Sequence, residues 1–200
     1  MFEANSLWRL PFAFLVINLV DNAACRWFFD LLFEENNIEF DIIGLSYYNW
    51  WPGNGPIAKF QANMEDLATR YEKDLLLLET AYPWTSNGMV QVQDRSKNAD
   101  HSHDHNSEEF LNQNIVEYEY QLLSNFPPTK EGQWSYLLTL RNIIADLPDN
   151  RGLGLLYWEP EWIVAPQFGS KWENLALFDD EGTPLPAFAA LGEEMTTYPW

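Results

Sequence analysis

Short apolar runs alternate with longer amphipathic stretches along this chain. Ala13–Leu19 is apolar and reads as a strand. Asp21 is then placed to cap a helix reaching about Glu35, with Trp27, Phe28, Leu31 and Leu32 at helical spacing and Asn36 and Asn37 closing it. Phe40–Ser46 (FDIIGLS) is a second buried-strand run, followed by an aromatic loop from Tyr47 to Gly53. Ile57–Tyr71 predicts a helix with Phe60, Met64, Leu67 and Ala68 on one face. Leu75–Glu79, four leucines closed by a carboxylate, predicts a third strand buried on both faces. A polar excursion runs from about Ser86 to Phe126, too long for a simple connection. Thr129 can cap a helix through Asp146, Gly152–Trp158 is a fourth strand, and Pro186–Met195 a last short helix.

That order, strand and helix in turn, predicts an α/β protein with a parallel sheet and right-handed crossovers. Each strand is followed by Trp, Tyr or carboxylate residues, which gathers aromatic and acidic groups at one end of the sheet. This favours a (β/α)₈ TIM barrel, whose sites lie at the C-terminal ends of the strands. Only four of its eight strands are visible. Neither GxGxxG after a strand nor GxxxxGK[ST] occurs, so no nucleotide or other organic cofactor is expected. Residues 1–200 read as one unit, with 86–126 as its long loop.

Composition narrows the ligand. Thirty acidic residues against 11 basic ones give a net charge of −19, which argues against nucleic acid and anionic membranes and favours a neutral substrate. Ten Trp, nine Tyr and 13 Phe suit either a large core or platforms for stacking sugar rings. Cys25 is the single cysteine, reads as a helix-core residue and permits no internal disulfide. Pro11–Val20, shortly before Cys25, has some features of a leader peptide. Glu3, Asp21 and Asn22 count against that, and the run is too short to span a bilayer, so a buried strand is expected there.

Two clusters carry candidate chemistry. Glu79 ends a buried strand, where an α/β fold places catalysis; its plainer reading is a buried, ion-paired carboxylate. Glu159 and Glu161 are the other acids at a strand mouth. Separately, the segment from Asp100 to Asn106 holds all three histidines, so no histidine base exists elsewhere. Its alternate residues Asp100, Ser102, Asp104 and Asn106 present oxygens at a spacing suited to Ca²⁺, although the EF-hand glycine and glutamate are absent, Leu111 standing at the twelfth place. A solvated acidic loop and a His-bound transition metal are the alternatives.

Five stretches, FDIIGLSYYNWW (Phe40–Trp51), LLLLETAYPWT (Leu75–Thr85), PPTKEGQ (Pro127–Gln133), GLLYWEPEWI (Gly154–Ile163) and GSKWENLALFDDEGTPLPAF (Gly169–Phe188), resemble glycoside hydrolase family 53 in that order. These are the endo-β-1,4-galactanases that cut galactan side chains of pectin. The resemblance implies a (β/α)₈ barrel and a retaining mechanism, with the four strands being strands five to eight. It makes Glu79 the nucleophile at the end of strand seven, puts Ser46 and Tyr48 beside it on strand six, and makes Trp158 a sugar-stacking residue at the end of strand eight. Trp50 and Trp84, with Trp51 and Trp162, lie on strand-end loops and are candidates to face galactose rings.

The resemblance further implies a galactan or arabinogalactan partner, an extracellular or periplasmic location, and calcium in the long loop after strand seven. It also marks departures. The family's general acid/base is a Glu in an Asn-Glu pair at the end of strand four, and none is found here; Asn18 replaces a strand-five His expected near Ile17. The chain thus reads as the C-terminal half of a galactanase, weak or inactive alone. The alternative is a non-catalytic galactan-binding fragment, against which stands the α/β alternation, unlike the short-strand pattern of sandwich-type binding modules.

Overall fold

The computed structural model describes residues 13–17, 21–35, 38, 40–51, 55–87, 89, 115–116, 118–163 and 172–192. Four parallel strands form one sheet in sequence order: β1 (Ala13–Ile17), β2 (Ile42–Ser46), β3 (Asp74–Thr80) and β4 (Gly152–Tyr157). Helix α1 (Asn22–Asp30) joins β1 to β2, α2 (Ile57–Tyr71) joins β2 to β3, and α3 (Lys130–Ala145) precedes β4. Each pair runs parallel, so all four C-terminal ends meet on one rim.

Local signals set the helix ends. Asp21 caps α1 by accepting from the Ala24 amide at 3.0 Å, and Thr129 caps α3 by accepting from the Gly132 amide at 3.0 Å. The helix expected to reach Glu35 instead widens into a π-helical turn over Leu31–Glu35. The last helix is also shorter than its pattern predicts: α4 covers Pro186–Ala189, and residues 193–195 of the expected span lie outside the described residues. β2 starts at Ile42 rather than Phe40, although Phe40 is fully buried and packs against Phe29 and Phe33.

The core lies between the sheet and its helices. Leu75 and Leu77 of β3, Ile43 and Leu45 of β2, Phe60, Met64 and Leu67 of α2, and Tyr136, Leu137 and Leu140 of α3 are all fully buried. Each such side chain contributes about 1.5–3 kcal/mol by leaving water. Tyr136 stacks on Tyr82 at 4.1 Å, and Tyr47 on Phe60 at 4.6 Å, so the aromatic load is partly structural. Among the described residues, no helix is long and apolar enough to cross a membrane.

Candidate active site

The residues after β2, β3 and β4 converge on one rim of the sheet. Tyr47 and Tyr48 follow β2 directly. Tyr47 turns into the core, where its hydroxyl donates to the Gly55 carbonyl at 3.0 Å, while its amide donates to the Glu79 carbonyl at 2.8 Å and extends the ladder. The Tyr48 hydroxyl donates to Oε2 of Glu79 at 3.2 Å. Burial, and after it the negative charge of Glu79, pushes the Tyr48 hydroxyl far above its ordinary pKa, so it stays a donor at any working pH.

Glu79 reaches Tyr48 because β3 is irregular. Leu75, Leu77 and Thr80 are fully buried, a spacing of two and then three residues. The pairing shows the same extra residue: Leu45 and Ser46 of β2 face Leu77 and Glu79, and Leu77 and Thr80 face Leu155 and Tyr157 of β4. In a regular strand Glu79 would share the parity of Leu75 and Leu77 and point at the helices. The bulge breaks that parity at the carboxylate, and Thr80 takes the core position, its Oγ1 3.5 Å from the Tyr136 hydroxyl.

Aromatic rings surround the pair. The Tyr48 ring centre lies 5.2 Å from that of Trp50, 6.0 Å from Trp51 and 6.2 Å from Trp172. Trp158 follows β4, its amide donating to the Thr80 carbonyl at 2.9 Å, and its side chain is 39% exposed. Trp158 and Trp51 are both exposed. Trp50, expected to stack on a sugar, is only 6% exposed and packs between Tyr48 and Tyr82, so it forms wall rather than platform. Trp84 is half-buried; the Lys130 ammonium sits 5.6 Å from its ring centre, and its amide donates to the Asn174 carbonyl at 2.9 Å. Ser46 is buried opposite Glu79 in the ladder.

Several buried polar atoms near this rim have no hydrogen-bond partner among the described residues: Ser46 Oγ, Trp50 Nε1, Trp84 Nε1, Asn49 Oδ1 and both amide atoms of Asn174. Glu159, with a left-handed φ of 51°, lies near enough for its charge to raise the Tyr48 hydroxyl further. Trp172 and Asn174 were not singled out from the sequence, although both fall inside one of the five quoted stretches.

The loops are held by α3. Gln133, fully buried, donates through Nε2 to the carbonyls of Tyr82 at 2.8 Å and Ala176 at 2.9 Å, linking the segments that follow β3 and β4. The Tyr157 hydroxyl donates to the Leu175 carbonyl at 2.6 Å and accepts from the Tyr82 amide at 2.9 Å. Gly132 is required beside it: a Cβ there would stand 1.8 Å from the Pro127 carbonyl oxygen. The stretch from Pro127 to Gln133 is thus a clamp.

Residues 13–191 match the family model of Glycosyl hydrolase family 53. The chain belongs to this family. A Niallia circulans protein described as uncharacterized and lying in the bgaB 5' region is 40% identical over 176 residues, which are 86% of this chain and 42% of that one. An arabinogalactan endo-beta-1,4-galactanase of Cellvibrio japonicus is 30% identical over 181 residues, 87% of this chain and 42% of the relative. Among solved structures, the Ignisphaera aggregans GH53 catalytic domain superposes with a TM-score of 0.70 at 26% identity, over 90% of this chain and 45% of that domain. The chain therefore spans less than half the length of these relatives, and its four parallel strands are part of a (β/α)₈ barrel, as the strand pattern predicted.

The expected calcium ligands Asp100, Ser102, Asp104 and Asn106 lie outside the described residues, as does most of the long loop 86–126. Among the described residues, no group of three or more His, Cys, Asp or Glu side chains is placed to hold a metal.

Proposed function

We propose that this family 53 chain carries the nucleophilic half of a retaining glycosidase that cleaves internal β-1,4-galactosidic bonds of galactan or arabinogalactan. The observation that carries this reading is the Glu79 carboxylate, turned out of the core by a bulge at a strand's C-terminal end and held by the Tyr48 hydroxyl at 3.2 Å. The name of the Cellvibrio japonicus relative supports the substrate. In this reading Glu79 attacks the anomeric carbon and displaces the leaving sugar oxygen, forming a glycosyl-enzyme that water then hydrolyses. Tyr48 orients the carboxylate for attack, Trp158 stacks on a galactose ring, and Ser46, Trp50 and Trp84 shape the floor and walls.

A retaining enzyme also needs a second carboxyl group about 5–5.5 Å from the first, to protonate the leaving oxygen. The family pattern supplies it from a strand other than these four. General acid help contributes roughly 10²–10⁴-fold, so these 200 residues alone are expected to turn over galactan poorly. A leaving group that needs no proton separates the two roles. We expect the chain to release dinitrophenolate from a 2,4-dinitrophenyl β-galactobioside at least about 100-fold faster than it cuts galactan. The 2-deoxy-2-fluoro analogue should leave a glycosyl adduct on the Glu79 peptide. Absence of an adduct, or an adduct on another residue, would sink the assignment.

A further inference from the structure

We infer that Glu159 is a substrate-binding, specificity-determining residue whose carboxylate accepts hydroxyls of the sugar held beside Glu79. The inference rests on the galactan reading above and deepens it at the same cleft. It starts from the backbone. Among the described residues, four that are not glycine have a left-handed φ: Glu72, Asp149, Asn150 and Glu159. Glu72 caps the end of α2 on the way into β3, and Asp149 and Asn150 lie in the 3₁₀ turn that leads into β4. Glu159 alone follows a strand, two residues past the end of β4 on the rim of the cleft. A left-handed φ is uncommon for a residue other than glycine, asparagine or aspartate. Pro160 behind it would favour extended backbone instead.

The strained residue is held from both sides. The Trp158 amide donates to the Thr80 carbonyl at 2.9 Å, and the Pro160 carbonyl accepts from the Leu177 amide at 2.7 Å. The Glu159 carbonyl accepts from the Trp162 amide at 3.4 Å. Thr80 directly follows Glu79, so the first of these bonds fixes Glu159 against the strand that carries the reacting carboxylate. The Glu159 side chain is half-buried, and among the described residues no hydrogen bond or ion pair engages it. Burial and then Glu79 push the Tyr48 hydroxyl up, and the charge of Glu159 adds to that shift, which puts both carboxylates near one hydroxyl. A left-handed backbone, a carboxylate without a partner and a like-charged neighbour are three costs at one residue. None of them stabilises the fold. A sugar changes this, because each hydroxyl donated to Glu159 makes a charge-assisted hydrogen bond. An anionic sugar would instead meet two carboxylates. The rim therefore selects a neutral sugar with a hydroxyl in reach of Glu159, and the fixed backbone aims the acceptor before the ligand arrives.

The test is calorimetric titration of the full chain with galactobiose, its monodeoxy analogues, xylobiose and mannobiose, alongside urea unfolding of each variant. Glu159→Gly removes the carboxylate and relieves the backbone, so its urea midpoint should rise while galactobiose binding weakens roughly 10–100-fold. Glu159→Gln keeps the backbone and the shape, so its midpoint should match wild type and binding should weaken roughly 3–10-fold. One monodeoxy analogue should bind wild type weakly and lose nothing further in Glu159→Gly, the non-additivity expected of a direct contact. Additive losses for every analogue, or a Glu159→Gly chain that loses stability together with binding, would make Glu159 a structural residue and overturn the inference. Galactobiose binding that ignores Glu159 would overturn it too and leave the galactan reading standing. Glu159-dependent binding of xylobiose or mannobiose, with none of galactobiose, would keep the residue's role and overturn the galactan reading. A wild-type chain that binds none of the three disaccharides overturns the inference.

Discussion

The seam between α1 and α2 and the rim after the strands handle polar atoms in opposite ways. On the seam, Asp66 accepts from Arg26 Nε at 2.8 Å and from Asn22 Nδ2 at 2.7 Å, and Asn22 also reaches Asn63 at 2.7 Å. Beside it, Asp30 accepts from Arg70 at 2.8 Å and from the Tyr71 hydroxyl at 2.7 Å. Donors and acceptors there are matched within the chain. At the rim, Ser46, Asn49, Trp50, Trp84 and Asn174 keep buried polar atoms with no such match among the described residues. Leaving a buried polar group unpaired costs about 1–3 kcal/mol, so the rim carries a cost that the seam avoids. The difference teaches that the seam matches its polar groups internally, whereas the rim holds buried donors and acceptors that nothing among the described residues engages.

The largest expected effect falls on the rim. Glu79→Gln keeps the shape and removes the attacking oxygen, so turnover of the dinitrophenyl substrate should drop on the order of 10⁴-fold or more, and the adduct should vanish. Unfolding in urea should hardly change, because Glu79 stands outside the core. A variant that unfolds early yet still labels would reverse the comparison. Next comes Gln133→Leu, which deprives the Tyr82 and Ala176 carbonyls of their donor inside the core. We expect a loss of about 2–4 kcal/mol in urea unfolding, with activity on the small substrate falling only as the two loops drift apart.

Much of the scaffold was legible in the sequence because its signals are local. The α2 helix follows from the spacing of Phe60, Met64 and Leu67, and the caps Asp21 and Thr129 announce α1 and α3 within one residue. Glu79 could be placed at a strand mouth from the apolar run alone, but the nucleophile role proposed for it comes from the family resemblance. What stayed hidden depends on contacts across the sheet. The bulge that turns Glu79 appears only when Leu45–Ser46 and Leu155–Tyr157 are laid beside β3. Trp50 looked like a platform in a loop of aromatics, and only the packing of Tyr48 and Tyr82 makes it a wall. The link from Asn49 to Gln121 joins residues 72 apart and leaves no local trace.

Tyr48→Phe sharpens the comparison at smaller scale. It removes one donor to Glu79 and leaves the ring among Trp50, Trp51 and Trp172. Losing one such charge-assisted bond should slow attack roughly 10–100-fold, mainly in kcat, while the midpoint in urea stays put. A KM effect with unchanged kcat would make Tyr48 a binding residue instead of a positioning one.

The smallest effect belongs to the seam and is read by pH. The Arg26 hydrogen bond, with help from Asn22, holds the Asp66 carboxyl below its ordinary value; the Tyr71 hydroxyl, with help from Arg70, does the same for Asp30. A carboxylate whose folded pKa is depressed adds stability that is fully present above its unfolded value of about 3.9 and is lost as pH falls through the folded one. Both pairs are partly solvated, so screening trims their contribution. Asp66→Asn should therefore lower the urea midpoint slightly at pH 7 and flatten its decline below about pH 4, with the difference shrinking in high salt. If the acid limb ignored Asp66, the seam would not be carrying the stability assigned to it, and the division drawn between the two regions would fail.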